Sequence, residues 1–154
     1  MMNSNTESLS IQVNVIDATE EIFFAKDSDL IGFEQDIMRY LAEGRSSFTY
    51  IHRATTRMIL DYLDAIRIWD SEGNRLTASA LTDVAQIKQW AIYHALYLIF
   101  FNNNNASSDI FIDKAKQYKS LADASIPNSL RLNVTGGTEE NQRRDVRSVR
   151  LVRR

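Results

Sequence analysis

Residues 82–101 read TDVAQIKQWAIYHALYLIFF, and where this stretch is buried decides the fold. Its apolar residues recur at helical spacing: Val84, Ile87, Ala91, His94 or Ala95, and Leu98 fall on one face. Trp90, Tyr93, Tyr97 and Phe101 widen that face until the helix is apolar nearly all round. Such a helix has no side to give to water, so it lies at the centre of a bundle or at a subunit contact. Trp90, Tyr93, Tyr97 and Phe101 are therefore the subunit-interface candidates. Thr82 is the expected cap, with Asp83 in the first turn. The run WAIYHALYLIFF is too short to span a bilayer, and no membrane partner is expected.

Working outward, the spacing predicts helices on both sides. One is expected over about Ser47–Trp69, capped by Ser46 or Ser47, with Ile51, Ala54, Met58, Ile59, Tyr62, Leu63, Ile66 and Trp69 in one stripe. DSEGN ends it, with Gly73 supplying the permissive backbone. An earlier helix is expected over about Ser28–Glu43 through Leu30, Phe33, Ile37 and Leu41, with Gly44 as the stop. A last helix runs from Ser108 or Asp109 to about Ala124 through Phe111, Ala115, Tyr118 and Ala122, and Pro127 prevents its continuation.

Short alternating stretches flank the helices. Ile11, Val13 and Val15 share one face of a strand, and Glu21–Ala25 is a second short strand candidate. LRLNV places Leu130, Leu132 and Val134 on one strand face, and VRSVRLV is a candidate final strand. The expected fold is mainly α: a bundle of about four helices, short strands near both termini, and an extended basic carboxyl-terminal tail. Residues 1–27 form an amino-terminal arm, 28–134 the helical domain, and 135–154 an interaction segment.

At 154 residues the chain is one domain by default, and its apolar and charged shares are ordinary. There is no cysteine, which excludes disulfides and thiolate metal sites. Residues 1–10, MMNSNTESLS, lack the basic and apolar regions of a signal peptide. A protein made and used in cytosol, or in a particle assembled there, is expected.

The charge is uneven. Six arginines fall in the last twelve residues, RRDVRSVRLVRR, so residues 139–154 carry a net charge of +3 against −5 for the rest. An acidic body with a basic end points to an interaction tail. Arg143, Arg144, Val146, Arg147, Val149, Arg150, Leu151, Arg153 and Arg154 are its partner-binding candidates. The arginines suit acidic protein groups or nucleic-acid phosphates, while the alternation of Val149 and Leu151 with arginine suits strand addition to another chain.

Motifs for catalysis are missing from the sequence. Gly136-Gly137 is followed by neither a lysine nor a helix start, and there is no G-x-S-x-G and no H-E-x-x-H. His94 has Trp90, Ala91, Tyr97 and Leu98 as helical neighbours, so it reads as a core or interface histidine, and His52 reads as surface. Arg57 with Asp61, and Asp64 with Arg67, read as surface ion pairs. No catalytic residue, cofactor or metal ligand is expected, and the chain reads as a non-enzyme.

The order of features resembles the head–tail connector (adaptor, or neck) proteins of tailed bacteriophages. The residues carrying the resemblance are YIHRATTRMILDYL, a linker with glycine, DVAQIKQWAIYHALYLIF, a polar loop, DIFIDKAKQYKSL, the strand LRLNV, a glycine turn and the arginine-bearing end. The resemblance covers about Asp29 to Arg154, and the amino-terminal strands depart from it. It implies a structural virion protein at the head–tail junction, in a ring typically of twelve copies beneath the portal. Its implied partners are the portal, a tail or second neck protein and the DNA in the channel; no catalysis or cofactor is implied. The alternative is a nucleic-acid-binding accessory protein that grips phosphate with its tail.

Overall fold

The computed structural model describes residues 21–104, 109–133 and 142–146. The chain is mainly helical with a small two-stranded antiparallel sheet. The helices are α1 (Asp27–Ile31), α2 (Thr49–Ala65), α3 (Ala85–Asn102) and α4 (Asp109–Ala124). The strands are β1 (Ser129–Arg131) and β2 (Arg143–Asp145), and Leu130 pairs with Arg144. Short 3-10 turns lie at Ile37–Tyr40 and Ala78–Ala80. The strand expected around Ile11–Val15 falls outside the described residues, as does Val134.

Helix α3 takes the central place. Ile87, Trp90, Ala91, Ile92, Ala95, Leu96, Ile99 and Phe100 are all buried, on more than one side of the helix. Helix α4 packs along it in the opposite direction. Phe100 lies against Phe111, and Tyr93 stacks on Tyr118 seven residues earlier in α3 and seven later in α4. Phe100 also stacks almost parallel on Tyr118, at 5.7 Å and 5°. Helix α2 closes another side, and its Tyr62 meets Trp90 edge to face at 5.3 Å. The buried stripe of α2 is rotated from the expected one. Ile51, His52, Thr55, Thr56, Ile59 and Leu63 face inward, while Ala54, Tyr62 and Ile66 are exposed.

Where tertiary contacts compete with local pattern, the local pattern loses. The helix expected over Ser28–Glu43 stops at Ile31 and resumes only as a 3-10 turn. The Phe33 and Glu34 N–H groups both donate to the Leu30 carbonyl, which turns the chain and sends the Glu34 carboxylate to α4. Glu21–Ala25 forms no strand. Phe24 is buried, and its N–H donates to Thr56 Oγ1 of α2. At the start of α3, Asp83 rather than Thr82 does the capping. Asp83 Oδ1 accepts from the Ala85 N–H at 2.8 Å, while the Thr82 hydroxyl donates to the Arg131 carbonyl at 2.9 Å.

Helix α2 ends four residues before the expected Trp69. The Arg67 N–H donates to the Asp64 carbonyl and the Ile68 N–H to the Leu63 carbonyl, both at 2.9 Å. Two orphan carbonyls are thereby satisfied, and buried Ile68 and Leu63 complete this helix-terminating motif. The motif needs a left-handed residue in the middle, and Arg67 fills it at φ 61°. An L-residue with a side chain is strained there by roughly 1–2 kcal/mol, while glycine costs about 0.5–1 kcal/mol in unfolded-state entropy. Arg67→Gly is therefore expected to raise stability by about 0.5–1 kcal/mol, and Arg67→Val to lower it by about 1 kcal/mol or more, in urea unfolding.

Candidate functional site

The four aromatic interface candidates on α3 have different surroundings. Trp90 is 3% exposed and belongs to its own chain's core, which leaves it little surface to offer a partner. Its face is filled by Tyr62, which the α2 spacing brings alongside. Tyr93 is half-buried between Tyr118 and Phe33, and Tyr97 is half-buried beside His94 and Phe101. Only Phe101 stands out, at 56% exposed. It has a companion that the sequence reading missed. Ile110, at the start of α4 and so at the same end of the bundle, is 68% exposed. Its place on the helix was readable, but nothing in the sequence said that its face lacks a neighbour.

The basic end divides into two parts. Arg143 and Arg144 lie in β2, paired with β1. The Arg144 guanidinium donates to the Arg143 carbonyl at 3.0 Å, and Arg143 lies 3.5 Å from Asp145. Val146, expected to dock on another chain, is 8% exposed in its own core, and its N–H donates to the Asn128 carbonyl. Burial and a satisfied backbone hold it to the body. The boundary drawn at residue 135 therefore cuts off a strand that belongs with the helices. Arg147, Val149, Arg150, Leu151, Arg153 and Arg154 lie outside the described residues.

Titratable groups gather where the non-helical segments cross the helices. Glu34 Oε1 and Oε2 each lie 2.8 Å from Lys114 Nζ, and Oε1 accepts from the Tyr118 hydroxyl at 2.7 Å. Burial pushes the Glu34 carboxyl up, but the Lys114 and Tyr118 hydrogen bonds outweigh it and hold it below its ordinary range. Burial, then the neighbouring Glu34, push the Tyr118 phenol well above its own. Lys114 also lies over the Phe100 ring at 4.9 Å.

The histidines separate from the sequence reading. His52, expected at the surface, is 3% exposed, with Nε2 2.8 Å from Asp27 Oδ1. That carboxylate also accepts from the Phe48 N–H at 3.2 Å, so it ties the first segment to α2 twice. His52 Nδ1 is enclosed without a partner among the described residues. The pair lines a cleft of about 680 Å³ with Lys26, Ser28, Ser47 and Thr49. Asp27 and His52 are separated by twenty-four residues of sequence, and no local spacing announces them. His94 is partly enclosed. Desolvation, then the positive charge of Lys119, bring it down to about 4, against a smaller pull upward from Asp123.

The expected surface pairs on α2 are replaced. Asp61 pairs with Arg75 beyond the helix, and Asp64 Oδ1 accepts from the Trp69 indole at 2.8 Å. Among the described residues no group of three histidine, aspartate or glutamate side chains is placed to hold a metal ion. Among them too, no helix is long and apolar enough to cross a membrane. Comparison with protein-family models, curated proteins and solved structures finds no match.

Two consequences follow from the charges. Glu34→Ala removes hydrogen bonds to a charged, half-buried group and is expected to cost about 2 kcal/mol in urea unfolding. Glu34 stabilises above its ordinary pKa of 4.5, and that contribution is lost as pH falls through the lowered folded value. For His94 the unfolded chain binds a proton below about 6.5 and the folded chain only near 4. Stability therefore falls as pH drops across that window, and His94→Gln should flatten this part of the profile of Tm against pH.

Proposed function

We propose that this chain is a structural subunit of the head–tail junction of a tailed bacteriophage. It assembles side by side into a ring beneath the portal, and its arginine-bearing end reaches a neighbouring protein. The observation that carries the reading is the exposure of Phe101, near the end of α3, and Ile110, at the start of α4, both at the α3–α4 end of the bundle. Large apolar side chains grouped at one end of a small body mark a protein contact. The arrangement of helices, followed by a strand and then a basic segment, agrees with what the connector resemblance implies. The acidic body and basic end favour contacts between unlike surfaces. Portal, tail or second neck protein, and channel DNA are the partners this reading supplies, with no chemistry asked of the chain.

The six arginines favour one other reading, an accessory protein that grips nucleic acid. The two separate in a single set of measurements on the full chain. Sedimentation and negative-stain microscopy should show closed rings, alone or on addition of portal protein. Replacing the six carboxyl-terminal arginines by glutamine should leave the rings intact and weaken portal attachment in a salt-dependent way. A chain that stays monomeric at all concentrations and in the presence of portal sinks the connector reading. Tight binding to duplex DNA, falling steeply with salt and lost in the glutamine variant, would then establish the accessory reading.

A further inference from the structure

We propose that copies of this chain join through a knob and a hole: Ile110 of one copy, with Asp113 beside it, enters the Arg57-bordered cleft on the outer side of α2 of the next. The inference rests on the ring reading and names the two faces that make the ring. The knob is the most exposed of the large apolar side chains among the described residues, 68% open to solvent. Asp109 precedes it and Asp113 lies three residues on, so both flank it on α4. Among the described residues neither carboxylate has a partner. Asp109 suits the positive end of its own helix, but Asp113 is beyond the first turn and Ile110 gains nothing from that end.

The hole has the complementary character. It is a cleft of about 570 Å³ with Ile22, Leu60 and Ala78 as apolar lining and Arg53, Arg57 and Arg75 around it. Ile22 is itself 44% exposed, so apolar surface is left open there as well. Two of the arginines are engaged: Arg53 holds both Glu21 oxygens at 2.8 and 2.6 Å, and Arg75 pairs with Asp61. Arg57 has no partner among the described residues. An unpaired cation beside an apolar hollow matches unpaired carboxylates beside an apolar knob.

Position decides that the match is between copies. Helices α2 and α4 both pack on α3, which lies between them in the contact pattern. The knob is on α4 and the hole is formed around α2. Two different faces that fit one another make a head-to-tail contact, and repetition of such a contact closes into a ring when the rotation allows.

The chain has no cysteine, so introduced pairs report without background. In the full chain, Ile110→Cys combined with Ala78→Cys should give a ladder of disulfide-linked multimers under mild oxidation. A mixture of the two single variants should give linked dimers, and each single variant alone should give none. Arg57→Glu should weaken self-association roughly a hundredfold, since facing like charges cost several kcal/mol, and adding Asp113→Arg should restore most of it. Rings that form without a ladder, or a charge exchange that rescues nothing, overturn this contact and leave the ring reading standing. Efficient linking by Ile110→Cys alone overturns it in favour of a two-fold contact. A ladder without closed rings supports the contact and removes the ring. A chain with neither ladder nor rings removes both.

Discussion

Helix α3 must be enclosed, and the arrangement of the other elements follows from that. Its sixteen residues from Ile87 to Asn102 include few polar side chains, and its buried residues lie on more than one side. Exposing such a helix costs about 1.5–3 kcal/mol for each large apolar side chain left in water. Three separate parts of the chain cover it. Helix α2 does so through Tyr62, helix α4 through Phe111 and Tyr118, and the first segment through Phe33 and Tyr40. Aromatic rings carry much of this contact, because a few large planar groups cover area with little loss of side-chain freedom.

Apolar burial alone would leave the irregular segments free to shift, and polar links fix them. The Glu34–Lys114–Tyr118 cluster pins the turn after α1 to α4, and Lys88 reaches Asp29 at 2.7 Å. Gln86 acts as a piece of backbone for β1: its Oε1 accepts from the Arg131 N–H at 2.6 Å, and its Nε2 donates to the Arg131 carbonyl at 3.2 Å. The isolated Leu81–Leu132 bridge joins the residue after β1 to the residues before α3. The base of α3 thus sets the position of β1, and β1 sets that of β2 and Val146. For a protein proposed to reach a neighbour with its carboxyl end, this is the mechanical link between core and contact.

The proposed contacts use what the core leaves over. Enclosing α3 consumes Trp90 wholly and Tyr93 and Tyr97 in part, and the α3–α4 end keeps the two most exposed large apolar groups among the described residues. Charge adds direction to that end. The carboxylates next to Ile110 and the arginine beside the α2 cleft are unlike charges on different faces, which favours one relative orientation of two copies over others.

Much of the fold was legible in the sequence because helical periodicity is a local property. The positions of α2, α3 and α4, the stop before Pro127 and the strand at Leu130 can all be read from neighbours a few residues apart. What the tertiary structure decided depends on residues far apart in the chain. The expected first helix stops at Ile31, and Glu34 beyond it pairs with Lys114, eighty residues away. His52 is buried against Asp27, twenty-five positions earlier, and Val146 is buried in the core beside the helices. Periodicity identified α3 as apolar all round, but could not tell a bundle's centre from a subunit contact, since both offer the same apolar surroundings. Only the packing of α2 and α4 separated Trp90, which is covered, from Phe101 and Ile110, which are not.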